Sequence, residues 1–236
     1  MPFKIKNWKL ALLALALICL FVRLGIWQLA RAQEKTLLLQ SFADRAKHQP
    51  LTTSDLQINR DWRFYPAQLQ GLFDNAHTIL LDNKIFHGQV GYEVYTPFHA
   101  DGLSAPILID RGFVPLVQHG RRELPVIRPI MGSTSITGMI NRPPAYVAFG
   151  QMTESPQITW PLRVEYIQDG QLSNILGGQA LFPYILSLNP KDKAAYDIEW
   201  QIVTMGPEKH RGYAVQWFAF ALTLLILSVA LNCERR

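Results

Sequence analysis

Two stretches of the chain carry no charged residue: residues 10–22 (LALLALALICLFV) and 213–231 (YAVQWFAFALTLLILSVAL). Past Arg23 the first run stays apolar through Leu24–Leu29. Residues 10–29 as a helix are about 30 Å long, the thickness of a bilayer's hydrocarbon core. Both runs therefore predict transmembrane helices. Trp8 and Trp27 sit near the two ends of the first, and Tyr213 and Trp217 near the start of the second, as interfacial aromatics do. Gly206-Pro207-Glu208 opens the second span with Pro at the first helical position and an acid in the first turn. Ala214, Ala221 and Ser228 recur every seven residues and share one face. Small residues there admit a closely packed helix, though an Ala-rich face turned to lipid would show the same pattern. The basic start and Ala30-Arg31-Ala32 also fit a cleaved signal peptide. Arg23 splits the apolar run from that site, and helical sequence continues beyond it, which favours a retained helix.

After Leu29 the helical pattern extends into water. Leu38, Phe42 and Ala46 are spaced by four, with Glu34, Lys35, Asp44 and Arg45 on other faces, to about residue 48, and Pro50 ends it. Fourteen of the 15 prolines lie at or beyond Pro50. Short apolar or alternating runs follow: Phe64–Phe73, Thr78–Leu81, Tyr92–Phe98, Pro106–Ile109 with Phe113-Val114, Thr134–Ile140, Thr159–Val164, Phe182–Leu188 and Ile198–Val203. Asp82-Asn83, Asp101-Gly102 and Asp169-Gly170 suit turns between them, and residues 165–178 could hold a short helix. The spacing argues for an antiparallel sheet curled into a barrel or sandwich. The expected order is a basic tail (1–9), a first span (10–29), a β-rich domain with a flanking helix at about 30–48 (30–206), a second span with its outer first turn (207–231) and a second tail (232–236). This is a membrane α+β fold: a two-span helical hairpin enclosing a β-rich domain.

Charge then fixes an orientation. The net charge of +5 belongs to the ends: Lys4, Lys6 and Lys9 at one, Arg235 and Arg236 against Glu234 at the other, with Arg23 completing it. Basic tails beside apolar spans mark the cytoplasmic side, so the β-rich domain is expected outside. The remainder is balanced and offers no excess cation to phosphates, which argues against nucleic acid as a partner. Only nine residues precede the first span, without an Arg- and Ser-rich leader, which suggests a bacterial inner membrane with a periplasmic domain rather than mitochondrial import. The two cysteines, Cys19 and Cys233, lie in or beside the spans, so the domain is expected to hold together without disulfides, thiol chemistry or a Cys-rich metal site.

Hydrolase elbow, phosphate loop, dinucleotide fingerprint and HExxH motifs are all absent from the sequence. Histidines 48, 77, 87, 99 and 119 are scattered singly in turn-rich sequence, as surface or hairpin residues are. His210 differs. It lies in the first turn of the second span, and Tyr213, Ala214, Trp217 and Ala221 follow on its face. An imidazole above small and aromatic residues could hold a flat apolar macrocycle by its iron. It could equally be an interfacial residue bonded to headgroups or to the domain. On the first span Arg23, Trp27, Arg31 and Lys35 form a stripe four apart. A charge as deep as Arg23 costs at least ~2.5 kcal/mol unless it snorkels or meets an acidic partner, such as a headgroup or a haem propionate.

In order along the chain, these segments resemble the surfeit locus protein 1 family of cytochrome c oxidase assembly factors. Leu24–Arg31 (LGIWQLAR) with Lys35 resembles the family's exit from the first span. Gly88–Tyr92 with Thr96-Pro97-Phe98, then Ile107–Pro115 (ILIDRGFVP), then Gly138 with Pro143, resemble its middle motifs. Pro207–Phe218 (PEKHRGYAVQWF) resembles its entry into the second span. Asp110 and Lys84 stand where the family often has Asn and Arg, and Arg23 lies outside its pattern. The resemblance implies a non-enzymatic membrane protein that binds haem A transiently and passes it to cytochrome c oxidase subunit I, with haem A synthase and membrane lipid as further expected partners. It implies His210 as the iron ligand; on position and charge alone, Arg23, Trp27 and Arg31 of the first span and Tyr213 and Trp217 of the second are expected around the cofactor, with one of the arginines pairing with a propionate. The competing reading is a cofactor-free scaffold for an oxidase assembly intermediate. A sensor is disfavoured by the short tails, and a copper chaperone by the lack of Cys and clustered His in the domain.

Overall fold

The structure, a computed structural model, describes residues 4–5, 7–56, 60–116, 123–144, 152–153 and 157–234. It divides into two units. One comprises Met1–Ser41 and Gln201–Arg236, the other Phe42–Trp200.

In the first unit α1 (Trp8–Arg45) starts behind Asn7, whose side-chain oxygen accepts from the backbone N–H groups of Lys9 and Leu10. Such a cap satisfies donors that a helix start leaves free. The helix runs unbroken to Arg45. The second helix of this unit, α3 (Pro207–Asn232), packs against it. Both are long and apolar enough to cross a membrane. The buried residues of α1 are Ala14, Gly25 and Ala32, and on α3 Ala214 and Ala221 are buried and Ser228 half-buried. The small-residue face thus meets a helix rather than lipid. The Phe218 ring lies so close to Gly25 that a Cβ there would sit 2.6 Å from it. Phe21 stacks near Trp217 at 5.6 Å and Phe220 at 6.1 Å. At the ends β1 (Lys4–Ile5) pairs antiparallel with β9 (Cys233–Glu234).

The second unit is a curled sheet of seven strands: β2 (Pro66–Phe73), β3 (Ile79–Phe86), β4 (Gln89–Ala100), β5 (Ile107–Pro115), β6 (Thr134–Asn141), β7 (Leu162–Val164) and β8 (Ile185–Leu188). Their order is β2-β6-β8-β5-β4-β3-β7, and a further pairing of β2 with β4 closes the first five into a barrel. Closure rests on the length of β4. Its first half pairs with β3, while Phe98–Ala100 reach past β3 to Gly71–Phe73 of β2. Most pairings are antiparallel, as expected, but β5–β8 and β3–β7 are parallel.

Both faces of β5 are buried, which explains its continuous apolar start. Successive side chains point to opposite faces. Ile107 and Ile109 join a core with Leu69, Phe98, Ile136 and Leu186, while Leu108 joins a second core with Ile79, Leu81, Leu162 and Val164. The second core is capped by α2 (Asp169–Ile175) through Leu172.

Several local expectations change. Phe113-Val114 are joined to Ile107–Ile109 in β5 across a bulge at Arg111, where the register with β4 shifts. Asp82-Asn83 is no turn but a bulge inside β3, with Asn83 in the left-handed region at φ 58°. The chain reverses instead at His87-Gly88, both at positive φ, the two-residue hairpin geometry that matches strand twist. Asp169-Gly170 starts α2. Ile198–Val203 is not a strand. The ladder of β5 is interrupted at its bulge, and the residue just before that segment, Asp197, makes an isolated bridge to Phe113.

Candidate functional site

Within the hairpin unit, Gly25, Gln28 and Ala32 follow one another at helical spacing on the face of α1 that meets α3. Gln28 is half-buried there, near the end of an apolar run, where an amide needs a partner. Its partner is His210, 182 residues away in sequence: Gln28 Oε1 lies 2.8 Å from His210 Nδ1. An amide oxygen can only accept, so in this contact Nδ1 carries the proton, which in the neutral ring leaves the lone pair on Nε2. His210 itself is half-buried. About two turns further along α1, Thr36 is 3.4 Å from the Arg211 guanidinium.

The other expected site residues are placed as follows. Trp217 packs on Phe21, against α1. Tyr213 is exposed on α3. Trp27 is exposed on α1, with the Arg31 guanidinium 5.5 Å from its ring centre. Arg31 donates to Glu34 at 2.6 Å, so its charge already has an acid beside it. Arg23 is exposed and makes no ion pair with a described residue. The stripe of Arg23, Trp27 and Arg31 thus flanks the packed face of α1, and it is Gln28 that hydrogen-bonds His210. Gln28 and Gly25 are the residues that sequence reasoning passed over. The legible signal is a lone amide in residues 10–29, where Arg23 is the other strongly polar position.

No group of three or more His, Cys, Asp or Glu among the described residues could hold a bare metal ion. His210 offers one nitrogen, which suits a metal that brings its other ligands with it, as iron in a macrocycle does. The apolar groove of about 690 Å³ lined by Leu10, Leu13, Ala14, Leu17, Leu224 and Leu227 lies at the other end of the hairpin, 14 or more residues along α3 from His210. The histidines of the barrel unit stay apart from one another. His48 and His99 are exposed, His77 bonds Asp74, and His87 forms the hairpin turn beside Glu199. His119 lies outside the described residues.

In the barrel, the bulge of β5 carries two buried ionisable groups. Arg111 is fully buried; its Nε donates to the Ala194 carbonyl at 3.1 Å and its Nη2 to the Arg128 carbonyl at 2.9 Å. Phe73 and Tyr196 present ring faces to the guanidinium at 5.6 and 5.0 Å. Burial lowers its pKa from the ordinary arginine value. Asp110 accepts from Gly112 N–H at 3.0 Å and from Ser187 Oγ at 2.9 Å, and burial, with the Glu93 charge, pushes its carboxyl up to about 7. The Asp110-Arg111-Gly112 step therefore builds the barrel and presents no partner surface at Arg111.

The family model described as the SURF1 family matches residues 15–222, a span that takes in Gln28, the barrel and His210. Over 154 residues the chain is 27% identical to Surfeit locus protein 1 of Xenopus tropicalis, covering 57% of this chain and 47% of that protein. Against Surfeit locus protein 1 of Gallus gallus it is 30% identical over 125 residues, covering 46% of this chain and 39% of the relative. Cytochrome oxidase assembly protein SHY1 of Saccharomyces cerevisiae is 28% identical over 96 residues, or 39% of this chain and 24% of that protein. The matches thus span about half or less of the length of these relatives.

Proposed function

Because this chain belongs to the SURF1 family, we propose that it is an assembly factor for cytochrome c oxidase, acting without catalysis. It is a membrane protein, and in this reading it sits in a bacterial inner membrane with its barrel on the periplasmic side and both basic tails in the cytoplasm. Its task is to bind haem A at the helical hairpin and aid delivery to subunit I of the oxidase.

The observation that carries the haem reading is the half-buried His210 imidazole, held through Nδ1 by Gln28 so that the neutral ring would offer Nε2. Nε2 would hold the iron. Exposed Tyr213 and Trp27 offer aromatic faces beside it, and Arg23, which is exposed on α1 and makes no ion pair with a described residue, would take a propionate. Haem A, when bound, supplies the iron centre that the oxidase requires. With only one protein ligand on a half-exposed surface, the hold is suited to transfer rather than storage.

An absorption spectrum of the protein purified from cells that make haem A tests this. We expect a stoichiometric Soret band in the wild type and its loss, by tenfold or more in bound haem, in His210→Ala, with membrane insertion unchanged. A second reading, a cofactor-free scaffold, takes the Gln28–His210 bond as a clamp between the helices and nothing more. It predicts a colourless preparation and no spectral difference between the two proteins.

A further inference from the structure

We propose that Gln28 is a positioning residue for His210: by accepting the Nδ1 proton it fixes the tautomer that leaves Nε2 to bind iron, and it aims the ring. The inference rests on the haem reading above and deepens it. A lone His at a helix start has two neutral tautomers and a rotatable ring. In only one of them does Nε2 carry a lone pair. The 2.8 Å contact removes that freedom.

The local architecture serves the contact. Gly25 and Ala32, on either side of Gln28 along the same face, carry little or no side chain, and Phe218 lies directly on Gly25. The helices therefore approach closely enough for a glutamine side chain to reach the ring. Metal-bound histidines regularly donate their second nitrogen to an acceptor, and losing that acceptor weakens the metal. Here the acceptor is a neutral amide rather than a carboxylate. It orients the ring without drawing it toward imidazolate, which keeps the iron–nitrogen bond moderate, as a carrier that must release its cargo requires. A bond between helices would also form if Gln28 were structural alone, so the test must read the iron.

Full-length protein in lipid nanodiscs is titrated with ferric haem A, and Kd is read from the Soret band for wild type, Gln28→Met, Gln28→Glu and His210→Ala. Redox titration gives the midpoint potential of each complex. Methionine keeps the length but cannot replace the acceptor, so Kd rises roughly 10- to 100-fold. Glutamate can only accept, so Gln28→Glu binds at least as tightly as wild type, and its midpoint potential falls because a carboxylate strengthens the ligand and favours ferric iron. Wild-type Kd and spectrum in Gln28→Met, with binding lost in His210→Ala, would overturn the role of Gln28 while the haem reading survives. Failure of Gln28→Glu to bind, or a wild-type potential in it, would overturn that role too. If His210→Ala binds like wild type, or wild type does not bind, the haem reading falls and Gln28 has no ligand to orient.

Discussion

Asp110 is deprived of water yet keeps two donors, Gly112 N–H and Ser187 Oγ, and its carboxyl is pushed up to about 7. An unfolded aspartate titrates near 4. Between about pH 4 and pH 7 the folded chain therefore holds a proton that the unfolded chain has released. Stability from this group is full below about pH 4, falls as pH rises through 7, and is flat above. Asp110→Asn keeps an acceptor for Gly112, and its amide can donate to the Ser187 hydroxyl. We expect urea unfolding followed by near-ultraviolet circular dichroism to give nearly equal stabilities at pH 4. At pH 8 the variant should be the more stable by on the order of 1–3 kcal/mol. The neighbouring Arg111 is held by two carbonyls and two rings in place of an acid. A lysine ammonium has neither the fork to reach both carbonyls nor the plane to stack on both rings. Arg111→Lys should lower stability at pH 7 by on the order of 2–3 kcal/mol in the same assay, the cost of unsatisfied buried groups.

At the scale of the elements, each helix is decided by what its small residues permit. Gly25 has no Cβ where the Phe218 ring rests, 2.6 Å away. Gly25→Val forces that ring aside and should destabilise the hairpin by about 1–3 kcal/mol, the usual cost of overpacking. Thermal unfolding in detergent should reveal this, and adding Phe218→Ala should return part of the loss, since the clash is between those two residues. The strands behave similarly. Periodicity located β2, β4, β5, β6 and the start of β3 within a few residues, because alternation records which face is buried. It misread Asp82-Asn83, since a turn-prone pair also suits a bulge, where Asn83 adopts a left-handed conformation. It also passed over His87-Gly88, because a histidine is not a usual hairpin residue.

For the whole molecule, the charge at the ends predicts that both lie on one side of the membrane. The pairing of Lys4–Ile5 with Cys233–Glu234 brings the two ends together, as that topology requires. Membrane-impermeant maleimide applied to intact cells should label His87→Cys, placed in the β3–β4 turn of a Cys19→Ser, Cys233→Ser chain. Native Cys233, in a Cys19→Ser chain, should label only after the membrane is opened. Labelling of Cys233 in intact cells would reverse the orientation. The barrel is the other whole-molecule feature, and it depends on one strand, since β4 is long enough to pair with β3 along its first half and with β2 at its end.

The sequence by itself determined the two apolar helices, the recurrence of small residues along the second, the β-rich class of the domain between them, and His210 as the candidate ligand. All of these are local: a run of apolar residues, a spacing of seven or two, a histidine beside a span. The tertiary structure alone decided that Gln28 meets His210, that β2 and β4 close the barrel, and that Arg111 lies buried between Phe73 and Tyr196. Each of these joins residues distant in the chain, and nothing in local periodicity encodes which distant group will satisfy a buried amide or cation. Hydrogen-bond partners for such groups are chosen only when packing removes water from them.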